Sequence, residues 1–176
     1  ESYWNGEIPF FTPKDTGSSI YCNETEKTIT ELGLSKCNSR LYPKNTIFIT
    51  ARGTVGKIAL ANRDMAMNQS CFALQHKENQ QFYLLGVISN LLREIVQGAN
   101  GAVFNAINLG DLNRLKFLSP RKDLVEQFND LVTPFYNQMS ELELENIKLK
   151  QLRDSLLPKL LSGEIEIPDE SVVERL

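Results

Sequence analysis

The chain has 176 residues, 41% of them apolar and 23% charged, with a formal net charge of −3 at pH 7. That is enough for one core plus an appendage, in the proportions of an ordinary soluble protein. No apolar run reaches the length of a membrane span, and no charged-then-apolar leader opens the sequence. The chain begins Glu1-Ser2-Tyr3-Trp4 rather than with methionine, which reads as a piece of a longer polypeptide. Cys22, Cys37 and Cys71 are an odd set without a Cys-x-x-Cys pair, so free thiols in a reducing cytoplasm are expected. The charge is unevenly placed. Residues 1–120 hold 12 Lys and Arg against 10 Asp and Glu, and residues 121–176 hold 7 against 12. An anionic partner should therefore meet the first part.

In chain order, Trp4 to Asp15 carries Pro9 and Pro13 around Phe10-Phe11 and reads as extended chain and turn. Residues 20–44 are polar, with Gly17 and Gly33 as breakers and a short helix predicted near Thr28–Leu32. Thr46–Thr50, Lys57–Ala61 and Cys71–Gln75 are β-rich runs, the first two separated by the turn glycines Gly53 and Gly56. Over Gln81–Gln97, Phe82, Leu85, Ile88 or Ser89, Leu92 and Val96 fall on one helical face. Gly98, Gly101 and Gly110 break the pattern, and Leu115–Leu118 reads as a last strand before Pro120.

Beyond Pro120 one apolar register repeats every seven residues, at Phe128, Phe135, Leu142, Leu149 and Leu156. Leu131 or Val132, Met139, Leu152 and Leu160 fill companion positions three or four residues away. This is the seam of a helix that packs against another helix. From Leu124 to Leu161 it would run roughly 57 Å, against about 35 Å for a compact domain made of the first part. Such a helix needs a partner. Asp123 with Glu126 reads as its capping signal, Thr133-Pro134 as a kink or break, and Gly163 as its stop. The organisation expected is α+β: a mixed α/β domain over 1–120, a coiled-coil-type helix over 121–163, and a flexible tail over 164–176. No internal repeat is present.

Catalytic equipment is missing. His76 is the single histidine and reads as a surface residue beyond a strand end, with no metal-ligand cluster around it. Gly53-Thr-Val-Gly56-Lys57 has the wrong spacing for a phosphate loop and Ile58 where Ser or Thr is needed. Pro168-Asp169-Glu170 lacks the lysine of a nuclease cluster. What remains are polar residues suited to nucleic acid. Arg52, between Thr50 and Thr54, could face a phosphate or a guanine edge, or make a structural ion pair. The amides of Asn68-Gln69-Ser70 could read adenine or tie down a loop. Lys14, Lys36, Arg40, Lys44, Lys57 and Arg63 could contact phosphates or be merely solvated.

Taken in order, Tyr3-Trp4-Asn5-Gly6-Glu7-Ile8-Pro9-Phe10, Thr12, Asp15, Thr50-Ala-Arg-Gly-Thr-Val-Gly56 and Ala66-Met-Asn-Gln69 resemble a target-recognition domain. The family is that of the specificity subunits of type I restriction-modification systems. Gly101 through Asn105, Leu112 to Pro120 with Glu126-Gln127, and Leu152 through Ile165 extend the resemblance over nearly the whole chain. It implies an α/β domain that grips duplex DNA and reads half of a split target, followed by a spacer helix. It also implies a chain with no catalysis and no cofactor of its own, docked to methyltransferase and restriction-motor subunits in the cytoplasm. The residue chemistry and the resemblance together give a candidate DNA-binding set of Thr12, Lys14, Lys36, Arg40, Lys44, Arg52, Thr54, Lys57, Arg63, Asn68 and Gln69. The heptad register gives the helix-pairing set Phe128, Phe135, Met139, Leu142, Leu149, Leu152, Leu156 and Leu160. Family members carry two domains and two spacers where this sequence has one of each, so a second recognition domain or a homodimer through the helix is expected. The alternative reading is a helix-mediated protein-interaction scaffold that does not bind DNA directly.

Overall fold

A computed structural model describes residues 2–98 and 106–166, with residues 95–98 as backbone. Gly101–Asn105 and the tail beyond residue 166, with Pro168–Glu170, lie outside the described residues. The elements are β1 (Trp4–Phe11), a 3₁₀ turn (Pro13–Asp15), β2 (Tyr21–Cys22), β3 (Thr28–Ile29), α1 (Glu31–Lys36), β4 (Ile47–Thr50), β5 (Ile58–Ala61), β6 (Ala66–Met67), β7 (Cys71–Leu74), α2 (Gln81–Gly98), α3 (Leu109–Arg114) and α4 (Lys122–Leu161). No described helix is long and apolar enough to cross a membrane. Contacts divide the chain into two compact units, Glu1–Asn137 and Gln138–Leu176.

The first unit is organised around β4. In the order β2-β5-β4-β7, β4 runs antiparallel to both neighbours, with Phe48 opposite Ala59 and Ala73. Every residue of β4 is buried, because both faces of the sheet are covered. On one face Ile47, Ile49 and Leu60 meet Phe82, Leu85, Ile88 and Leu92 of α2. On the other, Phe48 stacks on Phe11 at 4.6 Å and takes the ring of Tyr42 edge-on at 5.8 Å. Phe11 belongs to the second sheet, β3-β1-β6, in which β1 is antiparallel to β3 and parallel to β6. A bulge between Trp4 and Ile8, with Asn5 at φ 61°, lets both residues pair with Ile29.

Several sequence expectations need correction. The short helix starts later than Thr28–Leu32: Thr28–Ile29 is strand, and Thr30 caps α1 by accepting from Gly33 N–H at 3.0 Å. Gly33 does not break that helix but lies inside it, where a Cβ would come within 2.4 Å of Tyr3 O. Gly110 likewise sits within α3, whose Asn108 cap accepts from Asp111 N–H. Leu115–Leu118 is not a strand; it is irregular chain with Phe117 and Leu118 exposed. Arg52 instead makes an isolated antiparallel bridge to Ala106.

Helix α4 begins at Lys122, so Asp123 lies in its first turn, paired with Arg121 at 2.7 Å, and does not cap it. The helix runs unbroken through Pro134, and Thr133 does not restart it. The Thr133 hydroxyl donates back to the Asn129 carbonyl at 2.6 Å. Asp130, whose carbonyl loses its partner to the proline, is exposed and open to water. The helix closes as expected at Gly163 (φ 75°). Glu164 N–H bonds Lys159 O at 3.0 Å and Gly163 N–H bonds Leu160 O at 3.2 Å, the paired bonds of a Schellman ending.

In its first turns α4 is fixed to α2. Tyr136 stacks on Phe82 at 4.3 Å and 2°, and Val132 joins the same cluster. Asn129, 8% exposed, accepts from the Phe82 amide at 3.0 Å and from the Tyr83 amide at 3.4 Å. These are among the unpartnered N–H groups that open α2, so Asn129 caps one helix from another.

Candidate nucleic-acid interface

Three segments distant in sequence meet on the first unit. The first is the corner after β1. Thr12 accepts the turn's N–H from Asp15 on its carbonyl at 3.0 Å, and Asp15 Oδ2 accepts from Thr12 N–H (2.7 Å) and Oγ1 (2.8 Å). The second is the β4–β5 turn. Gly53 and Gly56 both take φ 79°, a conformation that side chains resist. Thr50 organises the turn from within: its hydroxyl donates to Thr54 O and accepts from Lys57 N–H at 3.0 Å. The Thr54 hydroxyl then reaches Pro13 O at 3.3 Å and joins this turn to the first segment. The third is the β6–β7 turn, in which Asn68 Oδ1 accepts from Ser70 N–H at 3.0 Å. Asn68 N–H bonds Phe11 O at 2.9 Å, and Ala51 N–H bonds Ser70 O at 2.8 Å, which fixes it against the other two.

Together with a fourth segment, Glu26-Lys27 of the β2–β3 connection, they bound a cleft of about 340 Å³ lined by Thr12, Pro13, Lys14, Glu26, Lys27, Arg52, Gly53, Asn68 and Ser70. Asn68 also lines an adjoining hollow of about 390 Å³, with Gln69, Tyr42, Met67 and Cys37 among its walls. Of the sequence-derived candidates, Thr12, Lys14, Arg52 and Asn68 meet in the cleft, Gln69 stands in the neighbouring hollow, and Thr54 braces the corner. Arg52 is exposed and makes no ion pair among the described residues. Lys14 pairs with Glu26 at 3.6 Å, and Lys27 lies 5.6 Å over the Trp4 ring.

The other candidates lie elsewhere. Lys57 lines a different hollow beside Arg93. Arg40 stacks over Tyr42 at 4.9 Å and donates to Gln75 Oε1 at 3.4 Å. Lys36 ends α1, the Lys44 backbone N–H bonds Asp64 Oδ1 at 3.2 Å, and Arg63 is exposed after β5. All eight candidate pairing residues, from Phe128 to Leu160, are exposed along α4.

Lys27 and Asp15 were not singled out as binding groups, because no local pattern brings them to the cleft. His76 is half-buried rather than a surface group: its Nδ1 accepts from Glu78 N–H at 3.1 Å and Gln80 N–H at 3.2 Å ahead of α2. The thiols of Cys22 and Cys71 are pushed up to about 12, by burial first and then by the charge of Asp15. They stay protonated and are poor nucleophiles. Three cations, two hydroxyls and an amide around an open cleft, against the single carboxylate of Glu26, suit a polyanion.

Residues 1–151 match the sequence model of the type I restriction modification DNA specificity domain. This chain belongs to that family. Its relatives are specificity subunits. That of the MjaIX type I restriction enzyme of Methanocaldococcus jannaschii is 26% identical over 170 residues, 94% of this chain and 39% of the relative. That of the HindI enzyme of Haemophilus influenzae is 22% identical over 171 residues, 94% of this chain and 37% of the relative. The chain thus spans about two-fifths of the length of these curated relatives. The crystal structure of the HsdS subunit from Thermoanaerobacter tengcongensis shares its fold, with a TM-score of 0.56 at 19% identity over 93% of this chain and 40% of that one. A chain from a structural study of complex assembly in the type I R-M system gives 0.57 at 20% identity, over 90% and 40%. The α+β architecture with a long C-terminal helix is that of type I specificity subunits.

Proposed function

We propose that this DNA specificity domain reads one half of a bipartite DNA target for a type I restriction-modification complex. The observation that carries the reading is the cleft, where three segments bring Thr12, Lys14, Arg52 and Asn68 together around an opening with three cationic side chains. Backbone phosphates would be held by Lys14, Lys27 and Arg52, and base edges would be met by Asn68, Gln69 or Arg52 itself. In this reading residues 1–120 recognise DNA, and the helix over 121–163 is the spacer that fixes the distance to a second reader. That second reader is either a second recognition domain or another copy of the chain. Methyl transfer, cleavage and translocation belong to the methyltransferase and restriction-motor subunits that the assembled chain docks. The chain supplies the address and no chemistry.

Arg52→Ala is the most direct test within the cleft. It is expected to weaken duplex binding by ~1–3 kcal/mol, read as the dissociation constant by fluorescence anisotropy across several salt concentrations. An unchanged constant at every salt concentration would remove Arg52, and with it this cleft, from the interface.

A further inference from the structure

Besides Glu26, which lines the cleft, a second acidic group, Asp15, is hydrogen-bonded to the segments that line it. Asp15 has both carboxylate oxygens engaged. Oδ2 takes the Thr12 N–H at 2.7 Å and the Thr12 hydroxyl at 2.8 Å, and Oδ1 takes the Glu26 N–H at 2.7 Å. Thr12-Pro13-Lys14 and Glu26-Lys27 are two of the segments that line the cleft. One side chain therefore joins them. The Lys14–Glu26 ion pair also spans the two, but its side chains are 79% and 56% exposed, so water and salt weaken it. Phe10 N–H anchors the far end of the second segment on Lys27 O (2.9 Å) and Thr25 Oγ1 (3.1 Å), leaving the Glu26 amide to Asp15.

A carboxylate so close to a site for phosphate carries a cost. Its field repels the ligand that Lys14, Lys27 and Arg52 attract. A group kept only as background charge would be improved by neutralisation. A group that sets donors in place would not. Charge-assisted hydrogen bonds of 2.7–2.8 Å to three donors are what a neutral side chain cannot reproduce. An asparagine offers one acceptor oxygen and turns its NH₂ toward either the Thr12 donors or the Glu26 amide, a donor against a donor.

Resting on the recognition reading above, we infer that Asp15 is a positioning residue of the interface. Its carboxylate holds Thr12–Lys14 and Glu26–Lys27 in one arrangement around a backbone phosphate of duplex DNA.

The two roles predict opposite signs for Asp15→Asn. Positioning predicts at least a tenfold loss of affinity for mixed-sequence duplex at low salt, although the variant is one unit more positive. It also predicts a shallower salt dependence, because fewer cations reach phosphate. Background charge predicts tighter binding and an unchanged slope. A double-mutant cycle with Lys27→Ala separates placement from general weakening. If Asp15 acts by placing Lys27, the second change costs much less in the presence of the first; additive losses would overturn that route. Asp15→Glu covers the case in which Asp15→Asn does not fold. It keeps the charge and misplaces the oxygens by a methylene, so positioning predicts a severalfold loss and unchanged affinity would overturn it. The native chain is measured first. If it binds no duplex at low salt, the recognition reading fails. If it binds and Asp15→Asn binds as well or better, only the role of Asp15 fails.

Discussion

Replacing Asn129 by leucine is expected to lower the unfolding free energy of the chain by about 2–4 kcal/mol, more than a surface change on the same helix could. The reason is an inventory of donors. The Phe82 and Tyr83 amides open α2 and have no partner within it, and the Asn129 carbonyl serves both. Leucine keeps the branched outline at a larger volume and removes the acceptor, leaving two N–H groups facing an apolar side chain. It also takes away the Asn129 Nδ2 bond to Thr133 Oγ1 at 3.3 Å. Because Asn129 is buried, water cannot replace what is lost. Thermal or urea unfolding followed by far-ultraviolet dichroism reads the effect, and Asn129→Asp should recover part of it by keeping the acceptor. A variant as stable as the native chain would mean that α2 is capped by another route.

The second large effect concerns the uncovered seam. Leu142 and Leu149 are 49% and 55% exposed and belong to no buried cluster among the described residues. If they are covered by a second helix, converting both to glutamate removes about 3–6 kcal/mol of apolar burial and places two charges in the contact. Association through the helix should be abolished while the unfolding midpoint of the recognition domain stays where it was. Sedimentation velocity reads the first and thermal unfolding the second. Unaltered association would mean that another surface joins the chains.

The elements legible in the sequence are those whose own residues carry the period. β4, β5, β7 and α2 were visible because apolar side chains recur at the spacing of a strand or a helix. β2, β3 and β6 were not, since two residues cannot show a period and their pairing partners lie up to 56 positions away, as Phe10 pairs with Ala66. Gly33 and Gly110 misled for a related reason. A glycine reads as a breaker locally, but Gly33 is demanded by the backbone of Tyr3 pressed against α1. The heptad register showed the exposed seam and left open Leu131 or Val132; burial gives Val132 to the domain and leaves Leu131 exposed.

For the site, Arg52 and Asn68 stood out because they sit at turns next to strands the pattern revealed. The family resemblance added Thr12 to the binding set and gave Asp15 only a place in the motif. Lys27 carried no signal, because its place at the cleft depends on Phe10 and Asp15 holding a loop that has no periodicity of its own.

The central claim is that this chain recognises DNA through its first unit and associates through its helix. Sedimentation velocity of the intact chain, alone and with mixed-sequence duplex at low and raised salt, tests both parts in one experiment. Where the second reader is another copy of the chain, the expected result is a dimer that carries duplex at low salt and releases it as salt rises, with the logarithm of affinity falling linearly against the logarithm of salt. A chain that sediments as a monomer and leaves the duplex free even at low salt would contradict it.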